Sequence, residues 1–357
     1  MKRIPLIIFG AGKVGRALVR QLQESAPLHA SRDGFEFRIV AWCDRTGAVV
    51  DERGLGPEAL RAIGDAKAAG AALAETPLGY HQDDLAAIVD VAGKDGCIVT
   101  DVTATDATVP ALELALRRGY HAAAANKVPL TGDQAVFDRL VGSRRFRYES
   151  TVGSAVPVIE TLHGLLRAAD RVDAIRGALS GTLGFICTGL QAGQPFSSLV
   201  TEAMRRGYTE PDPRIDLGGM DVARKALILA RTMRWVLEIG DVVVTSLVPA
   251  EWASLSLAEF LARLPELDAE FAAQVAAAAG DGEVLRYVAE LKDGAVSVGM
   301  QAVLADSALG QLKGNDNLVA FHTRYYPDTP LVLQGRGAGV DAAAAGVHAD
   351  IVALVGR

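Results

Sequence analysis

The residues best suited to chemistry lie between 203 and 225. That stretch reads Ala203-Met-Arg-Arg-Gly207-Tyr208-Thr209-Glu210-Pro211-Asp212-Pro213-Arg214-Ile-Asp216-Leu217-Gly218-Gly219-Met-Asp221-Val-Ala-Arg-Lys225. A helix is expected to end at Gly207, a natural C-cap. The loop after it, stiffened by two prolines, puts Glu210, Asp212, Asp216 and Asp221 within twelve residues. A new helix is expected near Asp221, which can cap it. Lys225, four residues on, then shares the Asp221 face and can pair with it. A helix cap and a surface ion pair would account for one acid and one lysine. They account poorly for four acids on a braced loop.

A second constellation opens the chain. Ile-Ile-Phe-Gly10-Ala-Gly12-Lys13-Val14-Gly15 carries three glycines spaced GxGxxG directly after an apolar run and before a helical pattern. Gly10 permits a tight turn, Gly12 lets backbone approach a pyrophosphate, and Gly15 lets the helix lie close to the sheet. Lys13 and Val14 open that helix, whose positive N-terminus suits phosphate. Asp44 closes the next strand, where a carboxylate can accept the ribose hydroxyls of NAD. Arg45 follows, and can pair instead with the 2′-phosphate of NADP. The two signals oppose one another, so the cofactor reads as NADP or NAD.

Positioning these groups requires an α/β scaffold. Residues 4–9, 35–43, 97–102 and 121–125 read as strands. Residues 14–24 repeat Val14, Leu18 and Leu22 on one helical face. Strands alternating with helices imply a doubly wound parallel sheet of the Rossmann type. Residues 45–82 read as an insertion with short helices. Beyond 150 the expectation is an α+β substrate and dimerisation domain, with a helix at 154–168, strands at 172–179, 239–249, 284–292 and 296–302, and a final Gly-rich turn and helix over 331–355. The domains are therefore expected at 1–150, 151–330 and 331–357, the last returning to the dinucleotide-binding domain.

With 357 residues, half of them hydrophobic and 22% charged, the chain is an ordinary globular protein of two domains. A net charge of −7 argues against a nucleic-acid partner. The apolar run Leu6–Phe9 is too short for a signal peptide or membrane span. Cys43, Cys97 and Cys187 are scattered without CxxC spacing, which suits a reducing compartment, and a cytoplasmic protein is expected. Six histidines form no HxxxH pair, so nothing local signals zinc.

The 203–225 stretch resembles the signature of homoserine dehydrogenases: Ala, Gly-aromatic-small, Asp-Pro, Asp-Leu, Gly, Asp and Lys at fixed spacing. The resemblance extends to Asp101-Val-Thr103, Ala125-Asn126-Lys127, Glu149 to Pro157, Ser180-Gly181-Thr182-Leu183, Lys313-Gly-Asn-Asp-Asn317, Gly337-Ala-Gly339 and Gly346-Val-His-Ala-Asp350. It points to the short, monofunctional form without a C-terminal regulatory domain.

The resemblance implies interconversion of L-aspartate 4-semialdehyde and L-homoserine with NAD(P)H, and a set of roles. Glu210 and Asp216 would hold the substrate's amino group, Asp221 would organise the pocket, and Gly181 and Thr182 would line it. Lys225 would give a proton to the carbonyl oxygen, with Lys127 near the nicotinamide as a second lysine. A lysine of ordinary pKa, about 10.4, is charged at neutral pH and ready to donate. The reverse oxidation needs a neutral amine and should favour alkaline pH. Thr103 and Gly339 would belong to the cofactor site. Backbone carbonyls of Glu149, Val152, Ser154 and Val156 would bind a monovalent cation such as Na+. A homodimer or homotetramer is also implied.

Three positions depart from the family's pattern: Ala155 where glycine is common, Gly184 where Asn or Ser is common, and Ala343 where threonine is common. A catalytically silent NAD(P)H sensor would not need Lys127, Glu210, Asp221 and Lys225. A related phosphorylating semialdehyde dehydrogenase would need a nucleophilic cysteine, whereas Cys97 and Cys187 read as small core residues.

Overall fold

The computed structural model describes residues 1–355. The chain folds as two compact units, one formed by residues 1–155 with 339–355, the other by Val156–Ala338.

The first unit is built on a six-stranded sheet: β1 (Lys2–Phe9), β2 (Phe35–Asp44), β3 (Gly47–Val50), β4 (Ile98–Asp101), β5 (His121–Ala124) and β6 (Phe146–Arg147), in the order β3-β2-β1-β4-β5-β6. All neighbours are parallel except β3, which folds back antiparallel on β2. The sheet is thus not wholly parallel, and the 45–82 segment contributes a strand as well as the helix Pro57–Ala68. Leu18 and Leu22 of the helix Lys13–Leu28 join Leu6, Ile8 and Trp42 of the sheet in one core, with Val14 partly buried against it. Val347 and Ile351 of the last helix, Val340–Leu354, complete that core.

The unit extends to Ala155, and the chain around 150 is tied to that helix. The Glu149 N–H donates to Asp350 at 2.8 Å, and the Ser150 hydroxyl donates to the Ala343 carbonyl at 2.9 Å.

The second unit carries β7 (Val172–Ala178), β8 (Val243–Val244), β9 (Glu283–Lys292), β10 (Ala295–Leu304), β11 (Asn317–Thr323) and β12 (Tyr326–Gly335), ordered β12-β11-β7-β9-β10-β8. Its pairs are antiparallel except β10 with β8. The strand expected over 239–249 shrinks to two residues. Glu238 and Asp241 cap one another reciprocally and curl Ile239–Asp241 into a 3-10 turn. The helix expected from 154 starts at Val158, since Ser154 has φ +55° and Pro157 disfavours helix in the residue before it. Residues 331–335 belong to β12, not to a turn. Its two prolines are tolerated because β12 is an edge strand.

Candidate active site

In the first unit, every proposed cofactor residue before Gly339 follows the carboxyl end of a parallel strand: Gly10 after β1, Asp44 and Arg45 at β2, Thr103 after β4, Lys127 after β5. Doubly wound sheets bind ligands at that edge. The three glycines have different physical reasons. Gly10 adopts φ +111°, and its carbonyl accepts the Trp42 indole N–H at 3.1 Å. A Cβ on Gly15 would sit 2.0 Å from the Gly10 carbonyl oxygen, so no side chain fits there. A Cβ on Gly12 would meet no protein atom within 4 Å. Gly12 therefore leaves open space at a helix N-terminus that no side chain caps, with Lys13 exposed beside it. Such a cradle fits the pyrophosphate of a dinucleotide. Gly339, with φ +120°, is the N-cap of the last helix.

Asp101, at the end of β4, ties together Thr103, Thr108 and Asn126. It is fully buried and accepts the Thr103 N–H and hydroxyl at 3.0 and 2.7 Å, the Thr108 hydroxyl at 2.6 Å and the Asn126 amide at 2.9 Å. Burial raises its pKa, and the bonds from Thr108, Asn126 and Thr103 oppose that rise. Asn126 also bonds Thr103 at 3.1 Å and accepts the Val128 N–H at 3.0 Å, which fixes the turn holding Lys127.

Asp44 already has partners. Its carboxylate accepts the Thr46 N–H at 2.7 Å and the Thr46 hydroxyl, and the Lys67 ammonium lies 2.6 Å away. Burial pushes its pKa up, but Lys67 and Thr46 together hold it below the ordinary carboxylate value. Arg45 is exposed. Sequence reasoning missed Lys67: it lies in a separate helix, and nothing local links it to Asp44.

In the second unit the charged loop closes on itself. The helix Phe196–Arg205 ends as expected, with Gly207 at φ +68°. Asp212 grips Arg214 at 2.6 Å, and Arg214 also donates to the carbonyls of Trp252, Ala253 and Leu255. Asp212 is thus a loop anchor. Asp216 accepts the Glu210 N–H at 2.8 Å. The Thr182 hydroxyl donates to the Tyr208 carbonyl at 2.6 Å and lies 3.4 Å from Asp216. Burial raises the Asp216 pKa, and the charges of Glu210 and Asp221 add to this, against the Glu210 N–H.

The following helix runs Met220–Thr232 and is capped by Gly219, not by Asp221. Gly219 has φ +75°, and a Cβ there would strike the Tyr287 hydroxyl at 1.9 Å. Asp221 lies in the first helical turn, 2.8 Å from the Lys225 ammonium. That ammonium is buried and also donates to the Leu179 carbonyl at 2.7 Å. Gly181 opens the helix Gly181–Gln191 under the Ser180 cap, and a Cβ on it would touch the Asn315 carbonyl at 3.0 Å.

A family model for homoserine dehydrogenase matches residues 157–352. The chain belongs to the homoserine dehydrogenase family. It is 39% identical to a homoserine dehydrogenase of Emericella nidulans over 73% of this chain and 76% of that one. It is 36% identical to a bifunctional aspartokinase/homoserine dehydrogenase of Haemophilus influenzae, where the match covers 98% of this chain and 43% of the relative's length. The crystal structure of a proposed homoserine dehydrogenase from Archaeoglobus fulgidus superposes with a TM-score of 0.77 at 26% identity, over 99% of both chains.

Two of the three departures from the family's pattern, Gly184 and Ala343, have local explanations. A Cβ at Gly184 would press within 3.1 Å of the Gly314 carbonyl, so glycine lets the 313–316 loop approach the helix. Ala343 contributes its carbonyl to Ser150, a role independent of its side chain. Nothing in the structure explains alanine at the exposed position 155. Glu149 and Val152 are buried, and the Ser154 carbonyl lies against Gly346, where a Cβ would come within 2.0 Å of it. Val156 begins the second unit.

The thiol chemistry of a phosphorylating dehydrogenase has no support. All three cysteines are buried and free, and burial pushes Cys97 up to about 12 and Cys187 up to about 11.

Proposed function

We propose that the chain reduces L-aspartate 4-semialdehyde reversibly to L-homoserine with NADPH, a step of aspartate-family amino-acid biosynthesis toward threonine and methionine. The observation that carries this reading is the buried Lys225 ammonium, held between Asp221 and the Leu179 carbonyl. A lysine so oriented can donate a proton to an aldehyde oxygen as the carbon is reduced. Glu210, Asp216 and Asp221 give that loop three acids against the one lysine, and the Asp216 pKa is raised first by burial and further by the charges of Glu210 and Asp221. A substrate ammonium would offset the charge part of that rise, which supports Glu210 and Asp216 as the amino-group site and Thr182 and Gly181 as its wall.

The reduced nicotinamide, when bound, supplies the hydride. Gly10, Gly12, Lys13, Val14 and Gly15 would hold the pyrophosphate, and Thr103, Lys127 and Gly339 the remainder of the cofactor. NADPH is favoured over NADH because Lys67 offsets the Asp44 charge that would repel a 2′-phosphate, while Arg45 stays exposed to bind one.

A monovalent cation on the carbonyls of Glu149, Val152, Ser154 and Val156 is compatible with their bonding. The Glu149 carbonyl accepts long bonds from Val152 and Gly153 at 3.3 and 3.4 Å, and Val156 accepts one from Val158 at 2.8 Å. The Val156 oxygen keeps a second lone pair beside that bond.

Association into a homodimer or homotetramer is supported by the exposed edge strand β12, whose unpaired backbone groups invite a partner. No helix among the described residues is long and apolar enough to cross a membrane. Three free thiols fit a cytoplasmic setting. Oxidation of reduced coenzyme on addition of L-aspartate 4-semialdehyde, followed by its absorbance, tests the reading.

A further inference from the structure

We propose that His29 and His348 form a site for a divalent metal ion of the zinc class, bound through the Nε2 atoms of both rings. The site lies within the first unit, apart from the glycine turn, and does not depend on the dehydrogenase reading.

The helix Lys13–Leu28 does not end regularly. It runs into a π-helical turn, His29–Asp33, a backbone form concentrated at functional positions. That turn brings Asp33 Oδ2 to 2.9 Å from His29 Nδ1. The His29 ring is buried, stacked on Phe35 at 5.1 Å and met edge-on by Phe37 at 5.7 Å, so its orientation is fixed. A carboxylate accepting from Nδ1 selects the Nδ1–H tautomer and leaves the lone pair on Nε2, the arrangement found behind metal-ligating histidines.

From the helix Val340–Leu354, His348 directs its own Nε2 at that lone pair, 3.0 Å away, with the ring planes at 71°. Ser25 Oγ lies 3.4 Å from the same His348 atom. Without metal, His348 Nε2–H donates to His29. Two nitrogens about 2.0–2.1 Å from a tetrahedral zinc ion stand roughly 3.3 Å apart. A shift of a few tenths of an ångström and a ring tilt therefore accommodate the ion. His348 transfers its proton from Nε2 to Nδ1 through solvent, and neither neutral ring loses a proton overall.

Among the described residues no three His, Cys, Asp or Glu side chains converge as a ligand set. The site is therefore a two-imidazole one, completed by the Ser25 hydroxyl and water through the half-exposed His348 side. Its ligands are 319 residues apart, which is why no local motif announces it.

The test is calorimetric titration of the metal-stripped full chain with Zn2+ alone, alongside Co2+ absorption spectra. Wild type should bind one Zn2+ that His348→Ala weakens at least about tenfold, and Asp33→Asn should weaken it by roughly 10–100-fold, as loss of such a supporting carboxylate does. His348→Gln can keep a hydrogen bond to His29 but is a poor ligand. It should retain the wild-type melting temperature without zinc and lose the rise in melting temperature that zinc produces. Absence of Zn2+ binding, or equal binding by wild type and the folded His348→Gln protein, would overturn the proposal and leave a simple histidine–histidine hydrogen bond.

Discussion

The Lys225 ammonium donates to the Leu179 carbonyl at 2.7 Å, one residue beyond the end of β7 and one before the Ser180 helix cap. The lysine is therefore positioned by the end of the interior strand β7 as well as by Asp221. Asp221→Asn should leave Lys225 in place through Leu179 and lower kcat by about tenfold. Lys225→Ala should lower it by roughly 10²–10⁴-fold, the range for losing a general acid. Steady-state kinetics of the two variants would check this ordering, and equal losses would count against it.

Gly12 and Gly15 should respond oppositely to alanine. Gly15→Ala places a methyl carbon 2.0 Å from backbone, so it should lower the melting temperature and coenzyme affinity together. Gly12→Ala meets nothing in the protein and should keep the wild-type melting temperature while weakening NADPH binding. Thermal melts with and without coenzyme separate the two behaviours.

Coenzyme choice should turn on Lys67. Lys67→Met uncovers the Asp44 carboxylate, which should weaken NADPH and strengthen NADH, changing their affinity ratio by about tenfold, or roughly 1.4 kcal/mol. Arg45→Ala should weaken NADPH alone. Fluorescence titration with both coenzymes checks this; an unchanged ratio in Lys67→Met would show that Asp44 does not face the 2′ position.

Asp350 should make stability pH-dependent. It is buried, and burial, with the Glu149 charge adding, raises its pKa to about 7, against the bond from the Glu149 N–H and the nearby Arg147. Unfolded, an aspartate titrates near 3.9. The folded protein thus binds more protons between about pH 4 and pH 7, and this group's contribution to stability falls as pH rises through that window, by up to about 4 kcal/mol. Asp350→Asn should flatten the profile and match or exceed wild-type stability at pH 8. Denaturant melts at pH 5 and pH 8 would measure it.

What the sequence revealed was local. GxGxxG between an apolar run and an amphipathic helix located the cradle, and the Asp221–Lys225 spacing located the ion pair, because helix periodicity fixes both. What it concealed was set by distant partners. The short run Gly47–Val50 becomes a strand by pairing with β2 and bridging to Tyr80. Prolines masked β12, whose edge position makes them harmless. Nothing near Asp44 in the sequence announces that Lys67, from another helix, pairs with it. The apolar stretch after 239 looked like a long strand because its pattern does not register the reciprocal cap of Glu238 and Asp241.

The most direct test of the central claim is turnover of L-aspartate 4-semialdehyde by the purified chain, with NADPH and NADH in parallel and Lys225→Ala as control. Oxidation of NADPH that yields L-homoserine, and collapses in a variant still binding coenzyme, is the predicted result. Coenzyme binding without turnover of either NADPH or NADH would contradict the account.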